Sequence, residues 1–189
     1  MLENNKSQLR KKYREARNLL SEKKRKLLSR EICRNFFANI KIPKNSVIAG
    51  YLASENEVDI SILLDLFSEQ NHKICLPCVV AENKPMVFRE YKKGVNLIKN
   101  KKYNFLELPE NLPEIQPYLI ITPLVAFDTA KNRIGQGGGF YDRTFEMLQD
   151  YAEFLSVGVA YECQKAPFIT AEIKDFRLDA IVTEKEIYL

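Results

Sequence analysis

Apolar residues recur along this chain with two different periods, and the alternation between them outlines an architecture. From Asn5 to Leu20 the period is helical: Leu9, Tyr13, Ala16 and Leu20 return every three or four positions and make one apolar face. Ser21 then offers a hydroxyl N-cap to a second helix running to about Asn39, with Leu28, Ile32 and Phe36 one turn apart. Pro43 ends the helical pattern. Ser46 to Ala53 reads instead as S-V-I-A-G-Y-L-A, the near-continuous apolar run of a parallel strand buried on both faces. The polar loop Ser54-Glu55-Asn56-Glu57 follows, and Asp59 is placed to cap a third helix with Ile60, Leu63, Leu64 and Phe67 on one side. Lys73 to Val80 is the next predicted strand, with Met86 to Tyr91 a shorter one beside it. Residues 92–117 are punctuated by Pro109, Pro113 and Pro117 and predict irregular surface structure. Tyr118 to Pro123 (Y-L-I-I-T-P) is again a short apolar strand, and Leu155 to Tyr161 and Ala180 to Val182 repeat the pattern.

Helices alternating with buried strands predict an α/β fold: a mostly parallel sheet flanked by helices, in a Rossmann-like three-layer single domain spanning residues 1–189. Ligands of such sheets sit beyond the C-terminal ends of the strands. Three polar segments leave at strand ends, namely Ser54 to Glu57, Asp128 to Asp142 and the stretch after Tyr161, so one cleft is expected to gather them.

Composition narrows the class without naming it. A chain of 189 residues, 46% hydrophobic and 29% charged, can bury one substantial core. No apolar run reaches the length of a membrane span, and Met1 to Lys12 lacks the apolar segment of a secretory signal. The expectation is a cytoplasmic monomer with no membrane partner. Charge is unevenly spread: residues 1–44 carry fourteen Lys and Arg against four Glu, although the whole chain is only +4. Such a segment attracts a polyanion, nucleic acid or a nucleotide, or is simply the solvated face of two helices. No nucleic-acid-binding motif accompanies it, so no nucleic-acid partner is expected.

Cys75-Leu-Pro-Cys78, with His72 just before it, has the spacing of a metal or redox pair, yet no second pair matches it and I-C-L-P-C-V-V reads as a buried strand. His72 is expected at the surface. With a single histidine in the chain and no G-x-S-x-G elbow, nucleophilic catalysis by a Ser-His-Asp or Cys-His system is disfavoured.

Four of the seven glycines, Gly135, Gly137, Gly138 and Gly139, fall within five positions. Without Cβ atoms such a run can curl its N–H groups around an anion. Arg133 precedes it with a planar cationic fork suited to phosphate oxygens, and Asp142 follows with a hard oxygen ligand suited to magnesium. A helix opening at Asp142 and carrying Phe145 and Leu148 would aim its N-terminal dipole at the same anion. The run is neither a P-loop nor a complete dinucleotide fingerprint. On the first helix, Lys6 and Arg10 lie one turn apart and can reach one polyphosphate together.

The blocks L-R-K-K-Y-R, Y-L-A-S-E-N-E-V-D, I-C-L-P, T-P-L-V-A-F-D-x-x-x-N-R-I-G-Q-G-G-G-F-Y-D-R, V-G-V-A-Y-E-x-Q and K-D-F-R-L-D-A-I-V-T-E, in this order over nearly the whole chain, resemble the 5-formyltetrahydrofolate cyclo-ligase family. The resemblance implies an ATP- and Mg2+-dependent ligase of one-carbon metabolism. It would close 5-formyltetrahydrofolate to 5,10-methenyltetrahydrofolate through an iminium phosphate, releasing ADP and phosphate. It also implies roles by position. Lys6, Arg10, Arg133, Ile134, Gly135, Gln136, Gly137, Gly138, Gly139, Phe140 and Tyr141 would bind ATP. Ser54 and Glu57 would line the folate pocket with Gln136, Gly138, Phe140 and Tyr141, Glu57 accepting from the pterin ring. Asp142 and Asp175 would hold the metal. Three residues depart from the family pattern: Phe140 replaces a tyrosine, Lys174 stands where histidine is frequent, and Leu124 stands where glycine is common, expected here to narrow the floor of the cleft.

Overall fold

The predicted alternation of helices and strands is realised in a computed structural model that describes residues 2–54, 56–100 and 105–189. In chain order the elements are α1 (Leu2–Asn18), α2 (Glu22–Asn39), β1 (Val47–Ala49), α3 (Ser61–Glu69), β2 (Lys73–Cys78), β3 (Val87–Tyr91), β4 (Ile98–Lys99), β5 (Leu106–Glu107), β6 (Leu119–Pro123), β7 (Ala126–Phe127), β8 (Arg133–Ile134), α4 (Phe140–Leu148), β9 (Leu155–Val159), β10 (Ala180–Val182) and β11 (Ile187–Tyr188). A 3-10 turn, Glu162–Gln164, follows β9. Ser21 caps α2 as its position requires, with extended backbone and a hydroxyl that accepts from the Lys24 N–H. Asp59 acts one residue off its predicted place: Ile60 is the N-cap of α3, while Asp59 Oδ1 accepts from the Ser61 N–H at 2.9 Å. Helix α4 starts at Phe140, two residues before Asp142, because Gly139 turns left-handed (φ +63°) and opens it.

Seven strands form the main sheet in the order β11-β10-β9-β6-β1-β2-β3. Every neighbouring pair from β10 to β2 is parallel, and β3 and β11 close the two edges antiparallel. Counted along the chain, the five parallel strands stand in the order 2-1-3-4-5, the doubly wound arrangement whose progression reverses between β1 and β6. The crevice beyond the C-terminal ends of those two strands is where such a sheet binds ligands.

Successive strand residues point to opposite faces, and the core records it. Ile48, Ile74, Leu119, Ile121 and Val157 pack with Phe36 of α2 and Leu63 and Phe67 of α3. Ala49, Cys75, Ile120 and Ile181 pack on the other side with Phe145 and Leu148 of α4. Burial on both faces explains why these strands read as continuous apolar runs. The paired part of the first strand is shorter than Ser46 to Ala53, since beyond Ala49 the chain turns out toward the crevice.

Two placements differ from expectation. His72 is buried: its Nδ1 lies 3.3 Å from the Ser46 carbonyl and its ring meets Phe67 edge-on. Leu124 does not floor the cleft but sinks into the α4-side core, 3% exposed. Room for it comes from Gly158, where an added Cβ would stand 2.9 Å from Leu124 Cδ2 and 2.7 Å from Leu178 Cδ1. Gly158→Ala is therefore expected to cost about 2 kcal/mol by overpacking, lowering Tm by roughly 4–8 °C in a thermal melt. The Cys75 and Cys78 thiols are buried strand residues, and burial pushes both pKa values up.

Candidate active site

Beyond β6 the chain makes the hairpin β7–β8, whose turn is built on one buried carboxylate. Asp128 Oδ1 accepts from the N–H groups of Ala130 and Asn132, and Oδ2 from the Asn132 side chain and the Ile169 N–H, all at 2.9–3.0 Å. This rigid turn delivers Arg133, Ile134 and then the glycines. Gln136, Gly137 and Gly138 are exposed to the crevice, and Gly137 takes φ +111°. Ile134 is 2% exposed, its side chain packed with Leu9, Tyr13, Val125 and Ile169, so it offers the site only main chain.

Helix α1 lies across this hairpin and turns a column of cations inward. Lys6, Arg10, Arg14 and Arg17 are buried or half-buried, whereas Lys11 and Lys12 are exposed. Lys6 Nζ binds Asp175 Oδ2 at 2.7 Å and Glu172 Oε1 at 3.0 Å. Burial opposes its charge, but those hydrogen bonds prevail and its pKa is raised. Arg10 Nε donates to the Gly135 carbonyl at 3.0 Å, and its guanidinium stands beside Gly137. Arg14 Nη2 donates to Gln136 Oε1 at 2.6 Å. Gln136 Nε2 in turn donates to Glu57 Oε1 at 3.1 Å, and the other oxygen of Glu57 accepts from the Ser54 N–H at 3.0 Å. One hydrogen-bonded line thus runs from α1 through the glycine loop to the loop after β1. Glu55, within that loop, lies outside the described residues.

Around Glu57 the crevice opens into a cleft of about 760 Å³ lined by Tyr51, Ser54, Tyr161 and Arg25 among others. Tyr161 donates its hydroxyl to the Glu57 carbonyl at 3.1 Å, and Tyr51 donates to the Val58 carbonyl at 2.7 Å. Burial, with the Glu57 charge adding to it, pushes the Tyr51 and Tyr141 hydroxyls well above their ordinary range. Both are therefore neutral hydrogen-bonding groups at physiological pH.

Arg133 is not the open fork that its position before the glycines suggests. Its side chain is 4% exposed, Nη2 pairs with Asp142 Oδ1 at 2.7 Å, Nη1 donates to the Phe176 carbonyl, and the guanidinium stacks over Phe145. The Phe176 N–H also donates to Asp142 Oδ1, at 3.2 Å. Arg133 and Asp142 together tie the hairpin, the first turn of α4 and the segment after the 3-10 turn into one block. Among the described residues Asp142 Oδ2 takes no hydrogen bond, and the Asp142 side chain is 29% exposed. Asp175 reaches the same neighbourhood through Phe176 beside it in the chain, but its Oδ2 is already held by Lys6 and the Glu172 N–H. No group of three or more His, Cys, Asp or Glu side chains that could cage a metal exists among the described residues. A divalent ion here needs oxygens from a bound phosphate as well, which is how magnesium is usually held.

Phe140 half-faces the crevice with the Arg143 guanidinium over its ring at 5.1 Å, and Arg143 Nη2 donates to the Gly138 carbonyl at 2.8 Å. Arg143, Asp128, Arg14 and Arg17 shape the site and were not singled out by the sequence. For the last two a signal existed: positions 6, 10, 14 and 17 share one helical face.

Fold and site together define a doubly wound α/β protein with a cationic, glycine-lined crevice at its topological switch point, suited to an anionic ligand next to a second, aromatic-walled pocket. The chain belongs to the 5-formyltetrahydrofolate cyclo-ligase family, ligases that form a carbon–nitrogen bond, and the family model matches residues 2–184. It is 33% identical over 136 residues to 5-formyltetrahydrofolate cyclo-ligase of Haemophilus influenzae, covering 69% of this chain and 72% of that protein. Against the Escherichia coli protein of the same name it is 32% identical over 147 residues, covering 75% and 79%. The solved structure of Aquifex aeolicus 5,10-methenyltetrahydrofolate synthetase superposes with a TM-score of 0.81 at 29% identity, over 99% of this chain and 92% of that one. A Mycoplasma pneumoniae 5,10-methenyltetrahydrofolate synthetase shares the fold, with a TM-score of 0.76 at 23% identity over 95% and 98% of the two chains.

Proposed function

We propose that this protein couples ATP cleavage, with Mg2+, to closure of 5-formyltetrahydrofolate into 5,10-methenyltetrahydrofolate. The observation that carries this reading is the line Arg14–Gln136–Glu57: it joins the glycine loop, which we assign to the triphosphate, to the aromatic-walled cleft, which we assign to the pterin. Two substrates bound on either side of Gln136 meet.

The formyl oxygen of the folate forms a bond to the γ-phosphorus, and the bond to the bridging oxygen breaks with its electron pair leaving on ADP. N10 then attacks the carbon of the resulting iminium phosphate, N10 loses its proton, and the carbon–oxygen bond breaks with phosphate departing. An amide oxygen is a poor leaving group, and phosphorylation makes it a good one. Such chemistry asks for position and charge rather than a protein nucleophile. Lys6, Arg10 and Arg14 supply positive charge along the triphosphate, and the N–H groups from Ile134 to Tyr141 curl about it. Glu57, each of whose oxygens retains an acceptor lone pair, receives the paired N–H donors of the pterin. Asp142 Oδ2, open among the described residues, would hold magnesium, which would supply neutralising charge to the phosphate oxygens.

Purified protein given ATP and Mg2+ is expected to release ADP only when 5-formyltetrahydrofolate is supplied, with the methenyl chromophore appearing in step. Chelation of the metal stops both. ADP release at the same rate without that folate, or with an unrelated amide in its place, overturns the proposal.

A further inference from the structure

The last turn of α1 carries a guanidinium that the chemistry above does not use. Arg17 is 6% exposed, and its Nε and Nη1 are buried without a hydrogen-bond partner among the described residues. Donors of a charged group left unmatched in the interior are costly, and a methionine or leucine would fill the same space without that penalty. The neighbouring charges indicate what Arg17 answers. Asn18, next in the chain, accepts from Asn56 Nδ2 at 2.8 Å, which fastens the end of α1 to the loop that carries Glu57. Burial lowers the Arg17 pKa from its ordinary value, and the Glu57 carboxylate is foremost among the charges opposing that, ahead of Tyr161.

The groups that face Glu57 or line its cleft come from five directions: Arg14 and Arg17 on α1, Arg25 on α2, Tyr51 and Asp59 after β1, Tyr141 on α4 and Tyr161 after β9. Arg14 already binds Gln136, and Arg25 donates to the Leu20 carbonyl. Arg17 remains as buried positive charge whose Nε and Nη1 have no bonded partner among the described residues.

We propose that Arg17 is a positioning residue for the folate pocket, a buried counter-charge that acts through Glu57 and holds its carboxylate oriented toward the pterin N–H donors. In a water-poor interior such a charge acts at a distance without touching the ligand. The inference rests on the assignment of Glu57 to the pterin.

Arg17→Met, Arg17→Lys, Glu57→Gln and the double variant Arg17→Met/Glu57→Gln, each in the full chain, test it by steady-state kinetics in both substrates and by thermal melting. Arg17→Met is expected to raise the folate KM about tenfold while the ATP KM moves less than about twofold and kcat falls less than the folate KM rises. Its Tm should hold or rise, because an unmatched buried charge has gone. Arg17→Lys restores most of the folate KM, and it also serves if the methionine variant does not fold. The double variant should be no worse than Glu57→Gln alone, since both changes remove one interaction. An unchanged folate KM in Arg17→Met, beside a raised one in Glu57→Gln, overturns the role of Arg17 and leaves Glu57 in place. No effect of Glu57→Gln removes the pterin assignment itself. A fall in Tm with both KM values shifting together, or additive effects in the double variant, assigns Arg17 to the fold instead.

Discussion

Asp142→Asn is expected to lower kcat by about a hundredfold or more, the usual scale for removing charge aimed at a transferring phosphoryl group. The folded protein should survive it, though not untouched. Asparagine keeps an oxygen for the Arg133 and Phe176 donors, but Arg133, 4% exposed, loses its ionised partner. Breaking a fully buried pair costs about 3–5 kcal/mol. Because the Asp142 side chain is 29% exposed and asparagine still accepts, about 1–2 kcal/mol is the appropriate expectation here. Melting should therefore fall by roughly 2–8 °C, while the magnesium concentration giving half-maximal rate rises. Near-normal kcat in a folded variant would show that Asp142 serves only to hold Arg133.

Gly137→Ala is expected to raise the ATP KM about a hundredfold, with less change in the folate KM and little in Tm. The cause is conformational rather than steric. At φ +111° an added Cβ meets nothing nearer than the Arg10 guanidinium, at 3.7 Å, but an L side chain is strained in that backbone state by about 1–3 kcal/mol. The loop relieves the strain by moving, and the contacts of Arg10 and Arg14 with Gly135 and Gln136 move with it. Gly135→Ala is the matched comparison: its φ is not positive and its Cβ meets nothing within 4 Å, so only a several-fold rise in ATP KM is expected. Equal ATP KM values for Gly137→Ala and the parent protein would mean that the triphosphate does not lie in this loop.

The site was partly legible in advance because its chemistry is written in local clusters. Four glycines in five positions announce a backbone-lined loop, while two cations one turn apart allow a shared anion but by spacing alone read equally as a solvated face. The continuation of that column to Arg14 and Arg17 was not read, because a basic residue on a basic helix carries no mark of its orientation until the helix docks. Glu57 illustrates the opposite limit. In the sequence its loop is expected at the cleft and the family resemblance gives it the pterin, yet by itself the residue reads as an acid near a helix start; the structure adds the crossing of Gln136 from a loop 79 residues away.

What the chain alone determined was the main elements: the four helices, the five parallel strands and β3, which strands are buried on both faces, and that glycines, cations and one aspartate gather after β7; the short pairs β4–β5 and β7–β8 and the edge strand β11 went unread, β4–β5 lying in a stretch expected to be irregular. Those features follow from local backbone preference and from hydrophobic period, which neighbours within a few residues suffice to set. The tertiary structure decided the pairings: Arg133 with Asp142 rather than a free phosphate fork, Asp175 with Lys6, His72 inside, Leu124 in the space left by Gly158, and Arg17 enclosed with two donors unmatched among the described residues. Charges and side-chain volumes act on whatever the sheet order brings within a few ångströms, and the reversal between β1 and β6 that sets those neighbours is a property of the whole chain.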